Sequence, residues 1–288
     1  MMYGTIRNIV FISFSLSVVM SCQPDFDEIN DTTQRNITFT FSTSGMFSQV
    51  LEMKDGEFEK GRSFSLPENM CTRISSYCYD TSDSLIDRRM SRIRANEDIS
   101  LTFRHLQKDS IYHFVFFADF VKQDEHLEYE TWFQLGYDKY DSFYLFLGTQ
   151  YEDPALNVLM YAELNDSPAN QTVFVELDPI VNNGYVVLEN VEGIEHLSGE
   201  LKYPAIILVD NLTAMAVNNQ SFNNIMPTTS IYIPLSVPYT SDMLVFNLKK
   251  TRFDEEKSVS FEGISLKYFP CVVVVDCNTM SLSNIIRY

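Results

Sequence analysis

The feature that most limits the fold of this chain is a long series of short apolar segments with the two-residue period of β-strands. Apolar and polar residues alternate in residues 37–41 and 231–237, and residues 112–121 form a nearly continuous apolar run suited to a central strand. The other segments of this kind are residues 73–79, 99–103, 142–147, 156–164, 172–177, 184–188, 205–209, 243–248, 259–266 and 271–275. Because long helical patterns do not separate them, the sequence predicts an all-β fold of sandwich type.

Two positions refine this prediction. Pro234 lies on the face of its strand opposite to the apolar residues and cannot donate a backbone hydrogen bond, so this strand is expected at a sheet edge. A proline and two asparagines interrupt the strand pattern at residues 178–183, which predicts an N-terminal β-sandwich over residues 36–180 and a C-terminal one over 181–288. Residues 83–94 have approximately helical spacing, and a short helix and an arginine-rich hairpin both remain open there.

The first residues have the layout of a secretory signal. Arg7 is followed by twelve apolar or small residues, 9–20, and by the small residue Ser21 directly before Cys22. Residues 19–22 resemble the lipobox of bacterial lipoproteins, which predicts removal of residues 1–21 and lipidation of Cys22. A transmembrane anchor is one alternative, but it needs about 20 apolar residues. A soluble secreted protein is the other.

An acidic segment follows the predicted anchor. Residues 23–28 and Asp31 resemble the signal that sends lipoproteins of Bacteroidales-type bacteria to the outer face of the outer membrane. The same segment suits a flexible tether, since chain termini are usually unstructured unless they are tied down. We therefore expect residues 22–35 to form a lipidated acidic tether at the cell exterior.

Composition restricts the partners. The formal net charge of −18 argues against binding to a nucleic-acid backbone, which needs clustered Lys and Arg. It also argues against attachment to anionic lipid by charge, so the outer membrane would be reached through the lipid on Cys22. Apolar residues make up 45% of the chain, which is enough for a packed core.

Four cysteines remain if Cys22 is lipidated: Cys71, Cys78, Cys271 and Cys277. Disulfide bonds are possible in an exported protein. Buried free thiols that pack as small hydrophobic groups are the alternative, and the spacing leaves both open. Neither pair has the spacing of a structural zinc site, so no metal site is predicted.

The sequence contains no arrangement typical of an enzyme. It has ten glycines and none of the patterns GxGxxG, GxxxxGK[ST], HExxH or GxSxG. The four histidines are scattered along the chain without a ligand-like pair. We therefore predict a protein without enzymatic activity, cofactor or metal.

Two surface features could bind a partner. Residues 119–163 contain ten acidic residues against two lysines, with aromatic residues between them. Trp132, Tyr137 and Tyr140 could contact a glycan or a partner, or these aromatic residues could fill the core while the acids face water. The second feature is an arginine group that could dock onto an acidic stretch of another subunit or form a solvated face: Arg88, Arg89, Arg92 and Arg94.

Residues 71–88, 110–120 and 259–278 resemble the fimbrillin-like lipoproteins of Bacteroidales, a family that includes subunits and anchors of type V fimbriae. The resemblance implies two tandem transthyretin-like (Greek-key) β-sandwiches and no enzymatic activity. It implies a cell-surface lipoprotein that acts as a structural, anchor or adhesive subunit. Its partners would be other fimbrial subunits and ligands or glycans on host or bacterial surfaces.

The resemblance also implies assembly by β-strand addition, in which a segment of one chain completes an open sheet of the next. In polymerising members, an arginine-specific protease removes the first strand, and Arg62, between Gly61 and Ser63, is the candidate cut site here. An ordinary loop arginine is the alternative. A surface glycan-binding lipoprotein built from β-sandwich modules is the second functional hypothesis, and the sequence does not separate anchor, tip and stalk roles.

Overall fold

The computed structural model describes residues 33–54, 57–61, 64–93, 97–123, 133–147, 154–164, 172–208, 213–238, 244–264 and 270–288. Ten strands lie in the first part of these ranges: β1 Gln34–Phe41, β2 Leu51–Lys54, β3 Glu57–Lys60, β4 Met70–Tyr79, β5 Leu85–Ile93, β6 Ile99–Gln107, β7 His113–Lys122, β8 Phe133–Gly136, β9 Tyr144–Leu147 and β10 Leu159–Leu164. Nine follow: β11 Thr172–Val175, β12 Asp178–Glu189, β13 His196–Leu208, β14 Thr213–Ile225, β15 Ile231–Pro238, β16 Leu244–Arg252, β17 Glu255–Ile264, β18 Cys271–Asp276 and β19 Ser281–Arg287. The predicted all-β, sandwich-type fold is confirmed.

Helical structure in the described ranges is limited to α1, Ser44–Phe47, and two 3-10 turns at Tyr140–Ser142 and Pro154–Leu156. None of these helices has the length and apolar character needed to cross a membrane.

The described strands form layered sheets. An eight-stranded sheet has the order β19-β18-β12-β10-β7-β4-β5, with β15 also paired to β12. A six-stranded sheet has the order β17-β16-β13-β9-β8, with β14 also paired to β13. A three-stranded sheet, β11-β1-β6, and the β2–β3 hairpin complete the layers.

The centre of the eight-stranded sheet is buried on both faces. Every residue of β4 is buried, and so are eight of the ten in β7. On one face, Ile74 and Phe116 pack against the three-stranded sheet and α1. On the other face, Tyr77 and Phe117 pack against Phe143 and its neighbours around β8 and β9. Strands buried on both faces explain why residues 112–121 read as a continuous apolar run.

A second core lies in the C-terminal half. Alternate residues of β12 and β18, among them Val186 and Val273, face β13 and β16. The intervening residues face the β2–β3 hairpin, where Leu51 is buried and Phe58 lies 4.9 Å from Tyr185 between ring centroids. A hairpin from the start of the chain therefore covers strands from its end.

The structure resolves the alternatives left open along the chain. Residues 85–93 form strand β5 in a hairpin with β4 rather than a helix. Strand β15, which contains Pro234, pairs with β12 alone among the described strands and is at an edge as predicted. The four described cysteines are free and buried.

The domain division stays a prediction. The predicted boundary after residue 180 falls inside β12, which pairs with β10 of the first half and with β15 and β18 of the second. Strand β1 begins at Gln34, inside the segment predicted as tether. The predicted signal peptide, Cys22 and the rest of the tether up to residue 32 lie outside the described residues.

Candidate assembly site and candidate ligand contacts

Strand β1 occupies the centre of the three-stranded sheet. It pairs antiparallel with β6 and parallel with β11. Ile37, Phe39 and Phe41 are fully buried beneath it. On the opposite face, hydroxyl pairs join Thr38 to Thr102 and Thr40 to Ser100, each at 2.9 Å between oxygens. The alternating sequence of β1 thus separates a buried apolar face from a polar outer face.

The buried face of β1 is held mainly by aromatic contacts. The ring centroid of Phe39 lies 4.7 Å from that of Phe114, 4.9 Å from Phe116 and 6.0 Å from Phe103. Phe41 lies 5.1 Å from Phe116. Burying one such side chain is worth about 1.5–3 kcal/mol. Removal of β1 would therefore leave an apolar groove between two unpaired strand edges, the arrangement that accepts an added strand.

The chain is fixed immediately before and after the predicted cut site. Arg62 and Ser63 lie outside the described residues. Gly61 is buried, its amide donates to the carbonyl of Val50 at 2.7 Å, and a Cβ there would come within 2.7 Å of the Phe47 carbonyl oxygen. The amide of Phe64 donates to the carbonyl of Gly61 at 3.3 Å. Cleavage after Arg62 would separate β1, α1, β2 and β3 from the strands that follow.

Tyr137 belongs to an aromatic–arginine cluster at the end of the β4–β5 hairpin. The guanidinium carbon of Arg88 lies 4.6 Å from the ring centroid of Tyr137 and 5.5 Å from that of Tyr77. Arg88 Nη1 also donates to the Tyr137 hydroxyl at 2.9 Å. The hydroxyl of Tyr79 donates to the Tyr137 carbonyl at 2.8 Å. Burial raises the pKa of Tyr79, so this hydroxyl stays a donor.

Tyr140 lies in the same cluster. Its ring stacks on His113 with centroids 4.6 Å apart, and its hydroxyl donates to the carboxylate of Glu163. The same carboxylate accepts from Tyr161 at 2.7 Å. Tyr79 contacts both predicted residues, since its ring centroid lies 5.7 Å from that of Tyr140. Trp132, the third predicted contact, lies outside the described residues.

The structure therefore brings Tyr137 and Tyr140 together, with both rings engaged by neighbouring side chains. A glycan or partner contact there stays a prediction. The described arginines nearby are engaged too: Arg89 pairs with Asp87 at 2.8 Å, and Arg92 Nη1 donates to the Gln123 carbonyl at 2.5 Å. Arg94 lies outside the described residues.

The buried thiols lie in environments that suppress ionisation. Burial raises the pKa of Cys78 and of Cys271 to about 12 and that of Cys277 to about 11. For Cys78, the carboxylates of Asp87 and Asp80 act in the same direction. Within the described part of the chain, no three metal-ligating acidic, histidine or cysteine side chains converge.

Sequence reasoning missed a different surface. At one end of the second half, the turns after β12, β14 and β18 and the last residue of β16, Arg252, surround a polar cavity of about 690 Å³. Large apolar side chains stand exposed beside it, Phe253 at 77% and Met226 at 69% exposure. The signal in the sequence is an apolar residue within a polar turn, as in residues 251–254, which strand periodicity does not register.

Comparisons with known proteins support the fold. No protein-family model matches the sequence, and no curated protein does so either. A candidate polysaccharide-binding protein from Bacteroides thetaiotaomicron has a similar structure, with 10% identity, a TM-score of 0.50, and coverage of 88% of this chain and 95% of its own. A candidate adhesin from the same species gives 14% identity, a TM-score of 0.50 and coverage of 88% and 95%.

The fimbrial anchor protein Mfa2 from Porphyromonas gingivalis shows 11% identity and a TM-score of 0.48 over 88% of this chain and 96% of its own. At these identities the likeness defines a fold. This chain has the fold found in Bacteroides proteins described as adhesin and polysaccharide-binding candidates. The all-β sandwich class implied by the resemblance is confirmed, and the division into two tandem domains stays a prediction.

Proposed function

We propose that this protein is a non-enzymatic, lipid-anchored cell-surface subunit of the fimbrial type that assembles by β-strand addition. The observation that carries the proposal is the position of β1, the central strand of the three-stranded sheet, whose three fully buried apolar residues precede the candidate cut site Arg62. The fold shared with adhesin-type surface proteins supports the same assignment.

The acceptor is the position that β1 now fills. With β1 removed, β6 and β11 would each present unpaired backbone groups along a groove lined by Phe103, Phe114 and Phe116. A strand with apolar residues at alternate positions restores both hydrogen-bonded ladders and refills the groove. Affinity would come from the backbone and specificity from the alternate side chains.

Whether a protease cleaves the chain after Arg62 determines its role in the fimbria. Uncut, the protein keeps β1 and the lipid on Cys22, and it serves as an anchor or cap with a filled acceptor. If it is cut, the protein loses the N-terminal segment, which carries both β1 and the lipid. It then becomes a subunit with an open acceptor. Other fimbrial subunits are the partners in either case.

Limited proteolysis tests the proposal. The purified chain and an Arg62→Ala control are treated with an arginine-specific protease and examined by size-exclusion chromatography and by gel electrophoresis without boiling. We expect the cut protein to form a ladder of oligomers and the control to stay monomeric. A cut protein that releases residues up to 62 and still stays monomeric would rule out self-assembly through this acceptor.

A further inference from the structure

A polar cavity lies at one end of the second half, where the turns after β12, β14 and β18 meet. Its volume of about 690 Å³ is in the range of small-molecule sites, about 300–1,000 Å³. The side chains that carry its polar groups come from each of the surrounding turns or the strand ends beside them: Asn190, Glu192, Thr228, Thr229, Arg252 and Asn278.

The turns around this cavity have fixed, strained geometry. Of the nine described residues with positive φ, six lie here, and consecutive positive values at Phe253 (52°) and Asp254 (61°) make a two-residue hairpin turn. Asn and Gly favour these positions, and a bulky residue such as phenylalanine is rare there. A largely exposed aromatic residue held in this strained conformation indicates a role outside folding.

Hydrogen bonds from a buried lysine and to an aspartate carboxylate hold the turn after β18. The Nζ of Lys250 donates to the carbonyls of Cys277 at 2.5 Å and Asn278 at 2.7 Å. Asp276 Oδ1 accepts from the amides of Asn278 at 2.7 Å and Thr279 at 3.3 Å, and Asn190 bonds to the same carboxylate. These bonds therefore hold the backbone of Asn278 and the side chain of Asn190 in place.

Arg252 joins the cavity to the exposed ring. Its Nη1 donates to Asn278 Oδ1 at 3.3 Å, and its guanidinium carbon lies 5.4 Å from the ring centroid of Phe253. Gly193, with φ of +74°, has the left-handed backbone conformation that favours glycine, and a Cβ there would be in ordinary contact with Nη2 of Arg252 at 3.4 Å. One face of the Phe253 ring is thus backed by the arginine.

The chemistry of the cavity selects a neutral, polyhydroxylated ligand. Amides, hydroxyls, one guanidinium and one carboxylate supply both donors and acceptors. The formal charges of Arg252 and Glu192 cancel, and the overall charge of −18 repels anionic polymers. A protein partner would need a contiguous buried area of about 1,000 Å² or more. The exposed apolar side chains here are instead separated by Glu195, which bonds to the amides of both Met226 and Phe253.

We propose that this cavity binds a sugar residue of a neutral polysaccharide, with its polar side chains on the hydroxyls and the Phe253 ring against the apolar face of the sugar. This site goes beyond the proposed assembly function, because its residues lie between 190 and 278 and the acceptor around β1 does not contribute to it.

Affinity electrophoresis tests the proposal. The full chain is run through native gels that contain mannan, β-glucan, galactan or xylan, with alginate as an anionic polymer and a protein-containing gel for comparison. The variants are Phe253→Asn, which tolerates the same backbone conformation, and Arg252→Gln. The matched control is Phe174→Thr, which removes another exposed ring, at 58% exposure, on β11.

We expect retardation by at least one neutral polysaccharide, a loss of apparent affinity of at least ten-fold in both cavity variants, and no change in the control. Equal thermal melting of the variants would exclude unfolding as the cause. The proposal is overturned if no neutral polysaccharide retards the protein, or if only alginate or only the protein gel does so. It is also overturned if the control variant loses as much apparent affinity as the cavity variants. Strand acceptance after proteolysis should survive Phe253→Asn, so failure of one proposal is distinguishable from failure of the other.

Discussion

Arg73 and Asp119 face each other across β4 and β7 and form a buried ion pair with two hydrogen bonds inside the eight-stranded sheet. Nε lies 2.9 Å from Oδ1 and Nη2 lies 2.7 Å from Oδ2, and both side chains are at most 2% exposed. The ring of Phe133 covers the guanidinium at 5.7 Å from its centroid. Two charges buried together fix the register of β4 against β7, because a shift of one residue would bury each without the other.

Breaking this pair should destabilise the fold. Asp119→Asn leaves the Arg73 charge buried without its counterion, and we expect a loss of about 3–5 kcal/mol in the free energy of unfolding. The double variant Arg73→Met/Asp119→Leu should lose less than Asp119→Asn alone, because it buries no unpaired charge. Urea denaturation measures both. A cost under about 1 kcal/mol for Asp119→Asn would mean that the pair does not hold the sheet.

The two faces of β1 should respond differently to substitution. Phe39→Ala removes a ring from the buried groove and should cost about 3–5 kcal/mol. Thr40→Ala, on the polar outer face, removes a solvent-exposed hydroxyl pair and should change stability by about 0.5 kcal/mol or less. Denaturant midpoints measure the difference. Similar losses of stability in the two variants would show that Phe39 is not buried and Thr40 is not on the outer face of β1.

The native thiols should resist alkylation. Burial raises the pKa values of Cys78, Cys271 and Cys277 to about 11–12, so the reactive thiolate is scarce at pH 8 and the sulfur atoms are covered. We expect a thiol reagent to label these cysteines only after denaturation in urea without reductant. Rapid labelling of the native protein, or a need for reductant after denaturation, would contradict the buried free thiols of the structure.

Acid should weaken the turn that follows β18. Burial alone would raise the pKa of Asp276, but hydrogen bonds from Asn278, Asn190 and Thr279 lower it overall. A carboxyl group whose pKa is lower in the folded state than in the unfolded state stabilises the fold at pH values above the unfolded pKa, which is about 3.9 for Asp. This stabilisation is lost as the pH falls through the pKa of the folded state. The melting temperature of the native protein should therefore fall towards that of Asp276→Asn below about pH 4. A constant difference between pH 6 and pH 3 would show that Asp276 does not act as an ionised acceptor.

Strand periodicity predicted the fold class because most strands bury one face or both. Residues 37–41 and 271–275 show the pattern of β1 and β18 directly. Strand β14 was missed, since its run of Asn, Gln and Ser has little strand preference, and it is extended because it pairs with β13 over most of its length. The spacing of residues 83–94 fitted a helix and a hairpin equally, and pairing with β4 decided between them.

The continuity of β12 through residue 180 could not be predicted, because it depends on partners far away in sequence. Strand β10 pairs with its beginning, while β15 and β18 pair with the rest. The cavity beside Phe253 was missed for the same reason, since turns distant in sequence meet there. Tyr137 and Tyr140 lie together in the structure, and their packing against Arg88 and His113 is a tertiary contact that spacing does not reveal.

If the position of β1 is an acceptor for an added strand, a labelled strand should bind there once β1 has been removed. The protein is cut at Arg62, and its N-terminal segment is removed. A fluorescent peptide with the sequence of residues 33–43 is then titrated with this protein, and the fluorescence anisotropy of the peptide is recorded. We expect saturable binding to the cut protein, none to the uncut chain, and at least ten-fold weaker binding of a peptide with Phe39→Asp. Equal binding of the two peptides, or no binding to the cut protein, would contradict an acceptor at this position.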